Sequence, residues 1–181
     1  PSELLAFFKP NTTVIGPGES IIKPAGCAEM SYEGELAIII GRFCKEVPAE
    51  RVKDVIFGYT IANDVTARDW QRSDNQWWRA KGADTFLPLG PWINTHLSIE
   101  EASQLSVQTT VGDELRQDGN TRDMMRSITD IVVELTKSIT LLPGDLILTG
   151  TPAGVGDMNA GDEVSITIDG LGTLSNPVTD E

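Results

Sequence analysis

The sequence predicts a β-rich α+β fold, and three observations support that prediction. Its 17 glycines and 10 prolines in 181 residues indicate many turns rather than long helices. Apolar runs of strand length recur between those turns, and the clearest is residues 35–40, which ends in three isoleucines. Only residues 121–137 keep helical spacing over several turns. No repeat or linker interrupts the pattern, so we predict one domain over residues 1–181.

The strand predictions follow from apolar, β-branched or alternating residues. Residues 35–40 and 57–62 are predicted to be buried strands. Gly112-Asp113 predicts a hairpin between residues 105–111 and 114–117, and the alternation over residues 163–175 predicts a second one. Shorter strands are predicted at residues 4–8, 20–22 and 146–148.

Three helices are predicted from their terminal residues. Pro48 suits a helix start, and Ser98 with Glu101 forms the capping-box pattern of a short helix. The longest helix is predicted over residues 121–137, with Thr121 as its cap and Lys137 near its negative end. Residues 66–80 are predicted to be a helical or loop connection.

Composition excludes several functional classes. The 27 acidic and 14 basic residues give a net charge of −13, which argues against binding to nucleic acid or anionic membranes. No run reaches the roughly 18 apolar residues of a membrane span, and no secretory signal is present, so we expect a cytoplasmic protein. Cys27 and Cys44 have no metal-ligand spacing and are predicted to be reduced and buried.

Three acidic residues are candidates for a metal site. On an extended segment Glu33 and Glu35 share a face and repel each other unless a cation lies between them. Asp64 ends the predicted strand at residues 57–62. Three carboxylates form a hard oxygen site suited to Mg²⁺ or Mn²⁺, whereas zinc prefers His or Cys. The alternative is a solvated strand edge.

Cationic residues follow those acids. Arg68, Arg72 and Lys81 could hold a substrate carboxylate beside a metal, which an acidic protein can do only with local positive charge. The alternative is an ordinary salt-bridged surface. Trp77, Trp78 and Phe86 are candidates for a distal substrate pocket or for the core.

Four motifs resemble the fumarylacetoacetate hydrolase superfamily in order and spacing: YEGELAIIIG, GYTIANDVTARDWQ, KGADTFLPLGPW and LTGTPAGVG. The resemblance begins near Phe8-Lys9-Pro10 and extends over nearly the whole chain. It is strongest to the short bacterial branch, which contains acylpyruvate hydrolases, oxaloacetate decarboxylases and hydroxy-diene-dioate isomerases. The resemblance implies a mixed β-roll fold and a homodimer.

The resemblance also implies roles for individual residues. The positions that match the family's metal ligands are Glu33, Glu35 and Asp64. The positions that match its substrate contacts are Arg68, Gln71, Lys81 and Thr151, of which Arg68 and Lys81 are the expected catalytic residues. Members of this branch usually carry an upstream lid with a His and a Glu. The only histidine here, His96, is expected on the surface, so we expect such a lid to precede Pro1 in the native protein.

Three functions remain open at this stage. The first is metal-dependent cleavage of a C–C bond in oxaloacetate or an acylpyruvate through a metal-stabilised enolate. Decarboxylation needs no general base, whereas hydrolysis does, so a chain without the His–Glu segment favours decarboxylation. The second is isomerisation of a 2-hydroxyhepta-2,4-diene-1,7-dioate in aromatic catabolism. The third is a non-catalytic, degenerate metal-binding member.

Overall fold

Twelve strands and four short helices build the computed structural model of the chain, which describes residues 4–181. The strands are β1 (Val14–Ile15), β2 (Ile21–Lys23), β3 (Met30–Ser31), β4 (Gly34–Ile40), β5 (Ile56–Asn63), β6 (Thr66–Ala67), β7 (Leu87–Asn94), β8 (Ser106–Val111), β9 (Glu114–Asn120), β10 (Leu146–Leu148), β11 (Glu163–Ile168) and β12 (Gly172–Asp180). The helices are α1 (Arg68–Ser73), α2 (Trp78–Gly82), α3 (Ile99–Ala102) and α4 (Ile128–Ser138).

The strands form two five-stranded sheets and one short ribbon. The first sheet has the order β1-β7-β5-β4-β10, and the second has the order β2-β12-β11-β8-β9. Most neighbours are antiparallel, but β1 pairs with β7 and β2 with β12 in parallel, so both sheets are mixed. Strands β3 and β6 form the ribbon. This β-rich mixed architecture confirms the predicted fold class.

The main core lies between the two sheets. On β4, Leu36, Ile38 and Ile40 are buried in one apolar cluster with Ile166 of β11 and Val107 of β8. Because successive side chains alternate, the residues between them on β4 face the other side of the sheet. The isoleucine-rich strand predicted from sequence is therefore the central wall of the core, and its opposite face carries Glu35 together with Ala37, which packs against Ala62 and Leu87.

Several predicted elements are confirmed. The buried strands, both hairpins and the strand at residues 146–148 are present. Ser98 caps α3 through the full capping box that the sequence indicated. Helices α1 and α2 occupy the segment predicted as helical or loop. Cys27 and Cys44 are free and buried.

Three predictions about local structure were wrong. Residues 4–10 have no regular secondary structure, and the turn after Pro48 is a 3₁₀ helix, Ala49–Asp54. The long helix begins at Ile128 with Ser127 as its cap, not at Thr121. The Thr121 hydroxyl instead donates to the carbonyl of Ala102 and accepts from the N–H of Leu105, which ties it to the segment between α3 and β8.

The helices are too short to cross a bilayer. Within residues 4–181, none has both the length and the apolar character that a membrane span needs.

Candidate metal and substrate site

The ends of two neighbouring strands bring the three predicted acids together. Glu35 of β4 pairs with Ala62 of β5, and Asp64 follows Ala62 by two residues, so both carboxylates lie on one face. The N–H of Asp64 donates to the carbonyl of Glu33 at 2.9 Å, which fixes the end of β5 against the start of β4. Ligand atoms of Glu33, Glu35 and Asp64 all lie within 4.8 Å of one another.

Burial makes this acid cluster unfavourable without a compensating cation. The three acids are only 8%, 4% and 2% exposed, in chain order. Burial, followed by the charges of Asp64 and Glu33, raises the pKa of Glu35 to about 8. The Glu35 carboxylate accepts a hydrogen bond from the N–H of Gly150 at 2.7 Å, and no residue within 4–181 forms an ion pair with it.

Two buried lysines neutralise part of the acid cluster. Lys81, on α2, lies with its Nζ 2.9 Å from Oε2 of Glu33 and 2.7 Å from Oδ2 of Asp64. Lys9 donates to Oδ1 of Asp64 at 2.6 Å and also to the carbonyl of Lys81. Burial lowers the pKa of Lys9, although the neighbouring charge of Asp64 acts in the opposite direction. Phe7 lies over this pair, with its ring centroid 5.2 Å from Nζ of Lys81.

Helix α1 carries the two residues expected to contact substrate. The guanidinium of Arg68 forms an ion pair with Oε1 of Glu33. It also donates to Oε1 of Gln71 at 2.9 Å, which positions that amide one helical turn further on. Both side chains are half-buried at the edge of the acid cluster, so they remain accessible to a ligand. Arg72 points elsewhere and pairs with Glu29 on the surface.

Thr151 lies in the turn that follows β10. Its hydroxyl donates to the carbonyl of Gly34, the residue between Glu33 and Glu35, at 2.9 Å. The preceding residue, Gly150, donates to Glu35. The structure thus places Thr151 beside the acid cluster, but the proton of its hydroxyl is already used within the protein. Its backbone N–H and the remaining lone pair of the hydroxyl are the groups left for a ligand.

The residues present fit a divalent cation. All three candidate ligands offer carboxylate oxygens, which suit Mg²⁺ and Mn²⁺, and they converge from a rigid pair of strands. Glu35 is the strongest indication, because it is buried, has a raised pKa and forms no ion pair with any cationic side chain of residues 4–181.

Some candidate residues lie away from the site, and one contact was missed. His96 is exposed in the turn between β7 and α3, as expected. Phe86 is fully buried in the core, whereas Trp78 is 72% exposed, and Trp77 packs edge-on against Phe7. Lys9 was not predicted, because it is separated from Asp64 by 55 positions along the chain and the sequence gives no signal of their contact.

Known protein families and structures include relatives of this chain. Residues 1–179 match the family model described as fumarylacetoacetate (FAA) hydrolase C-terminal. A 5-carboxymethyl-2-hydroxymuconate delta-isomerase structure from Mycobacterium smegmatis is 53% identical, with a TM-score of 0.94, over 97% of this chain and 68% of that chain. Oxaloacetate tautomerase YisK of Bacillus subtilis is 42% identical over 98% of this chain and 62% of that protein.

A third relative is informative about ligands. The structure of maleylpyruvate hydrolase from Sphingobium sp. SYK-6, in complex with manganese (II) ion and pyruvate, is 39% identical, with a TM-score of 0.88. The match covers 96% of this chain and 64% of that chain. Because the family match spans residues 1–179 of 181, the protein belongs to the fumarylacetoacetate hydrolase family.

Proposed function

We propose that this protein is a metal-dependent enzyme that cleaves a C–C bond in a small 2-oxo acid, with oxaloacetate or an acylpyruvate as substrate. One observation supports the proposal above all others: three buried carboxylates within 4.8 Å of one another, bordered by Lys9, Lys81 and Arg68. Buried acids in such a cluster are rare unless they are paired or bind a metal. The arrangement provides a cation site and a local positive border inside a protein of net charge −13.

In this proposal Glu33, Glu35 and Asp64 hold Mg²⁺ or Mn²⁺. The bound ion would supply Lewis-acid stabilisation of negative charge on the substrate oxygens. Arg68 and Gln71 would bind the carboxylate of the 2-oxo acid, since a guanidinium matches a carboxylate in a bidentate manner. The backbone N–H of Thr151 would add a donor from the opposite side of the acid cluster.

The positive charges beside the acid cluster would also stabilise the negative charge that forms on the substrate during the reaction. In oxaloacetate decarboxylation the C3–C4 bond breaks, CO₂ leaves, and its electron pair moves into the enolate formed by C3, C2 and the C2 oxygen. A proton then adds to C3 to give pyruvate. Lys81 is held within 2.9 Å of two of the acids, so its charge is fixed near the place where the enolate oxygen would form. No general base is required for this reaction.

A second candidate is isomerisation or tautomerisation of a 2-hydroxy or 2-oxo diacid. It is favoured by the similarity to the delta-isomerase at 53% identity and to the oxaloacetate tautomerase at 42% identity. These reactions pass through the same enol or enolate and relocate a proton without breaking a C–C bond. The same carboxylates and cations would serve both candidates.

One set of assays separates these functions. Oxaloacetate is supplied in its enol form, loss of the enol is followed by absorbance, and pyruvate is measured with a coupled dehydrogenase; acetylpyruvate and fumarylpyruvate are tested in parallel. Each assay is run with Mn²⁺, with Mg²⁺ and with EDTA. Metal-dependent pyruvate formation supports C–C cleavage, whereas enol loss without pyruvate supports tautomerisation.

A matched pair of variants links the activity to the acid cluster. Glu35→Gln should abolish metal-dependent turnover, and Glu50→Gln, at an exposed position in the 3₁₀ turn, should retain it. Wild-type protein that binds Mn²⁺ but turns over none of these substrates would instead be the non-catalytic member. Homodimer formation stays a prediction, which sedimentation velocity tests against the chain mass of 19.6 kDa.

A further inference from the structure

Within residues 4–181, strand β4 is paired with β5 along its whole length on one side, but on its other side it has no strand neighbour beside Gly34, Glu35 and Leu36. On that side β10 pairs only with Ala37, Ile38 and Ile39, so Gly34 and Leu36 meet other groups. The carbonyl of Leu36 accepts hydrogen bonds from both the N–H and the hydroxyl of Thr149. The N–H and the carbonyl of Gly34 are instead hydrogen-bonded to side chains.

The side-chain amide of Gln117, on β9, makes hydrogen bonds here that the backbone of a neighbouring strand would otherwise make. Its Oε1 accepts from the N–H of Gly34 at 3.0 Å, and its Nε2 donates to Oγ1 of Thr151 at 2.8 Å. The Thr151 hydroxyl then donates back to the carbonyl of Gly34, which closes a ring of hydrogen bonds around that one residue.

Gln117 has no free hydrogen-bonding capacity for any other task. Its Oε1 also accepts from Oγ1 of Thr109 at 2.8 Å, and its Nε2 also donates to the carbonyl of Pro152 at 2.9 Å. Both donors and both lone pairs are therefore used, and the side chain is fully buried. The ring requires glycine at residue 34, because a Cβ there would lie 2.5 Å from Oγ1 of Thr109.

We propose that Gln117 is a positioning residue of the substrate site, which holds Thr151 in place against Gly34, the residue between Glu33 and Glu35. The inference rests on the proposed function, in which Thr151 contacts the substrate carboxylate. The hydrogen bonds of the Gln117 side chain go to Gly34, Thr109, Thr151 and Pro152, and none of them goes to an acid of the cluster. Its amide fixes the middle of the turn, Thr151 and Pro152, at the correct distance from the acid cluster.

The backbone that carries the acids is held by contacts that do not involve Gln117. The carbonyl of Glu33 accepts from the N–H of Asp64, and the N–H of Glu33 donates to the side chain of Asn63. The end of β5 therefore holds the backbone of the acids without Gln117. The Glu35 carboxylate also accepts from the N–H of Gly150 in the turn, next to Thr149, which is bonded to Leu36. Loss of the amide should therefore displace Thr151 and leave the metal ligands in place. The turn is also tied at both ends, by Leu36 at its start and by the Tyr32 hydroxyl at its end, so its path should survive.

The first test is Gln117→Met, which keeps the length of the side chain and removes the amide. We expect the Mn²⁺ dissociation constant to change by less than about threefold, since the acids are held by β5. The KM for oxaloacetate and the dissociation constant of oxalate, an unreactive dianion, should each rise by about tenfold or more. Gln108→Met, which removes an amide bonded to Asp118 on the adjacent strand, is the matched control and should change neither.

The second test, Gln117→Glu, adds a pH signature and keeps the shape of the side chain. When the introduced carboxyl group is protonated, it can donate to Thr151 and accept from Gly34, whereas the ionised group has no donor. Burial favours the protonated form. The ratio of KM in this variant to KM in the wild type should therefore fall as the pH is lowered, and the same ratio for Gln117→Met should stay flat. If Gln117 only supported the fold, its substitution would lower Tm, but the ratio of KM values would not depend on pH.

The outcomes separate this inference from the proposed function. Wild-type protein without metal-dependent turnover would contradict the proposed function, whatever Gln117 does. With an active wild type, unchanged KM and oxalate affinity in the folded Gln117→Glu variant, at a pH where its introduced carboxyl group is ionised, would overturn the positioning role. An equal loss of Mn²⁺ affinity and oxalate affinity would also overturn it, because Gln117 would then support the whole acid cluster.

Discussion

Nζ of Lys81 lies 2.7 Å from Oδ2 of Asp64, and each side chain is only 3% exposed. Lys81 reaches this position because α2 packs against β6, which begins two residues after Asp64. A buried ion pair of this kind costs desolvation of both charges, and its favourable energy depends on keeping both partners. The pair therefore links the stability of the fold to the charge of the candidate site.

Lys81→Met should lower both activity and stability. It leaves Asp64 and Glu33 without their shared buried cation, and breaking a buried pair costs about 3–5 kcal/mol. The free energy of unfolding, measured by urea denaturation without metal, should fall by an amount in that range. Lys53→Met, at an exposed position, should change it by less than about 0.5 kcal/mol. Equal effects of the two substitutions would show that the Lys81 pair contributes nothing to stability.

The raised pKa of Glu35 predicts the pH dependence of stability in the metal-free protein. Its pKa is about 8 in the folded chain and 4.5 ordinarily, so the folded state binds its proton more tightly than the unfolded state. Its contribution to stability is fully present below pH 4.5 and is lost as the pH rises to about 8. Wild-type stability should therefore fall relative to Glu35→Gln across that window. Denaturation curves of both proteins at several pH values measure this, and a parallel pH dependence would refute it.

Arg68→Ala should weaken binding of dianionic substrates. Charge-assisted hydrogen bonds contribute about 1.5–3 kcal/mol, so KM for oxaloacetate should rise by roughly 10- to 100-fold. The acid cluster would also lose one neutralising cation, because Arg68 is paired with Glu33. Arg51→Ala, which removes an exposed pair with Asp54, serves as the control. If Arg68→Ala left KM and kcat unchanged, Arg68 would be a surface salt-bridge residue.

The residues around the acid cluster predict a preference for decarboxylation over hydrolysis. Among the described residues, two lysines and an arginine form ion pairs with the acid cluster. The single histidine, His96, is exposed elsewhere. Decarboxylation needs no general base, whereas acylpyruvate hydrolysis requires water to be activated. Residues 1–181 should therefore convert oxaloacetate with a higher kcat/KM than acetylpyruvate. A higher value for acetylpyruvate would show that the chain supplies a base that the contacts do not reveal.

The fold was largely predictable because its signals are local. The three isoleucines of β4 and the alternation in β11 report burial directly, and Gly112 and Gly170 mark the turns of two hairpins. The start of α4 was not predictable in this way, since Thr121 and Ser127 are both suitable caps. Only the packed structure shows that the Thr121 hydroxyl is already bonded to Ala102.

The candidate site was predictable only in part, for a related reason. Glu33 directly precedes β4 and Glu35 lies on it, so their proximity followed from the extended segment predicted from the sequence, and the motifs supported Asp64, Arg68 and Lys81. Lys9 and Gln117 reach the site across 55 and 83 residues, respectively. A polar residue on a strand usually faces solvent, so nothing local indicated that Gln117 is buried beneath the acid cluster.

Direct titration with Mn²⁺ is the sharpest test of the metal site on which the proposed function depends, because it does not require the right substrate to be chosen. The signal of the free ion in electron paramagnetic resonance decreases as the ion binds. Wild-type protein should bind one Mn²⁺ per chain, more tightly as the pH rises towards 8 and Glu35 loses its proton. Glu35→Gln should bind at least about tenfold more weakly, while Glu50→Gln should match the wild type. No saturable binding to the wild type, or equal binding by Glu35→Gln, would contradict the metal site.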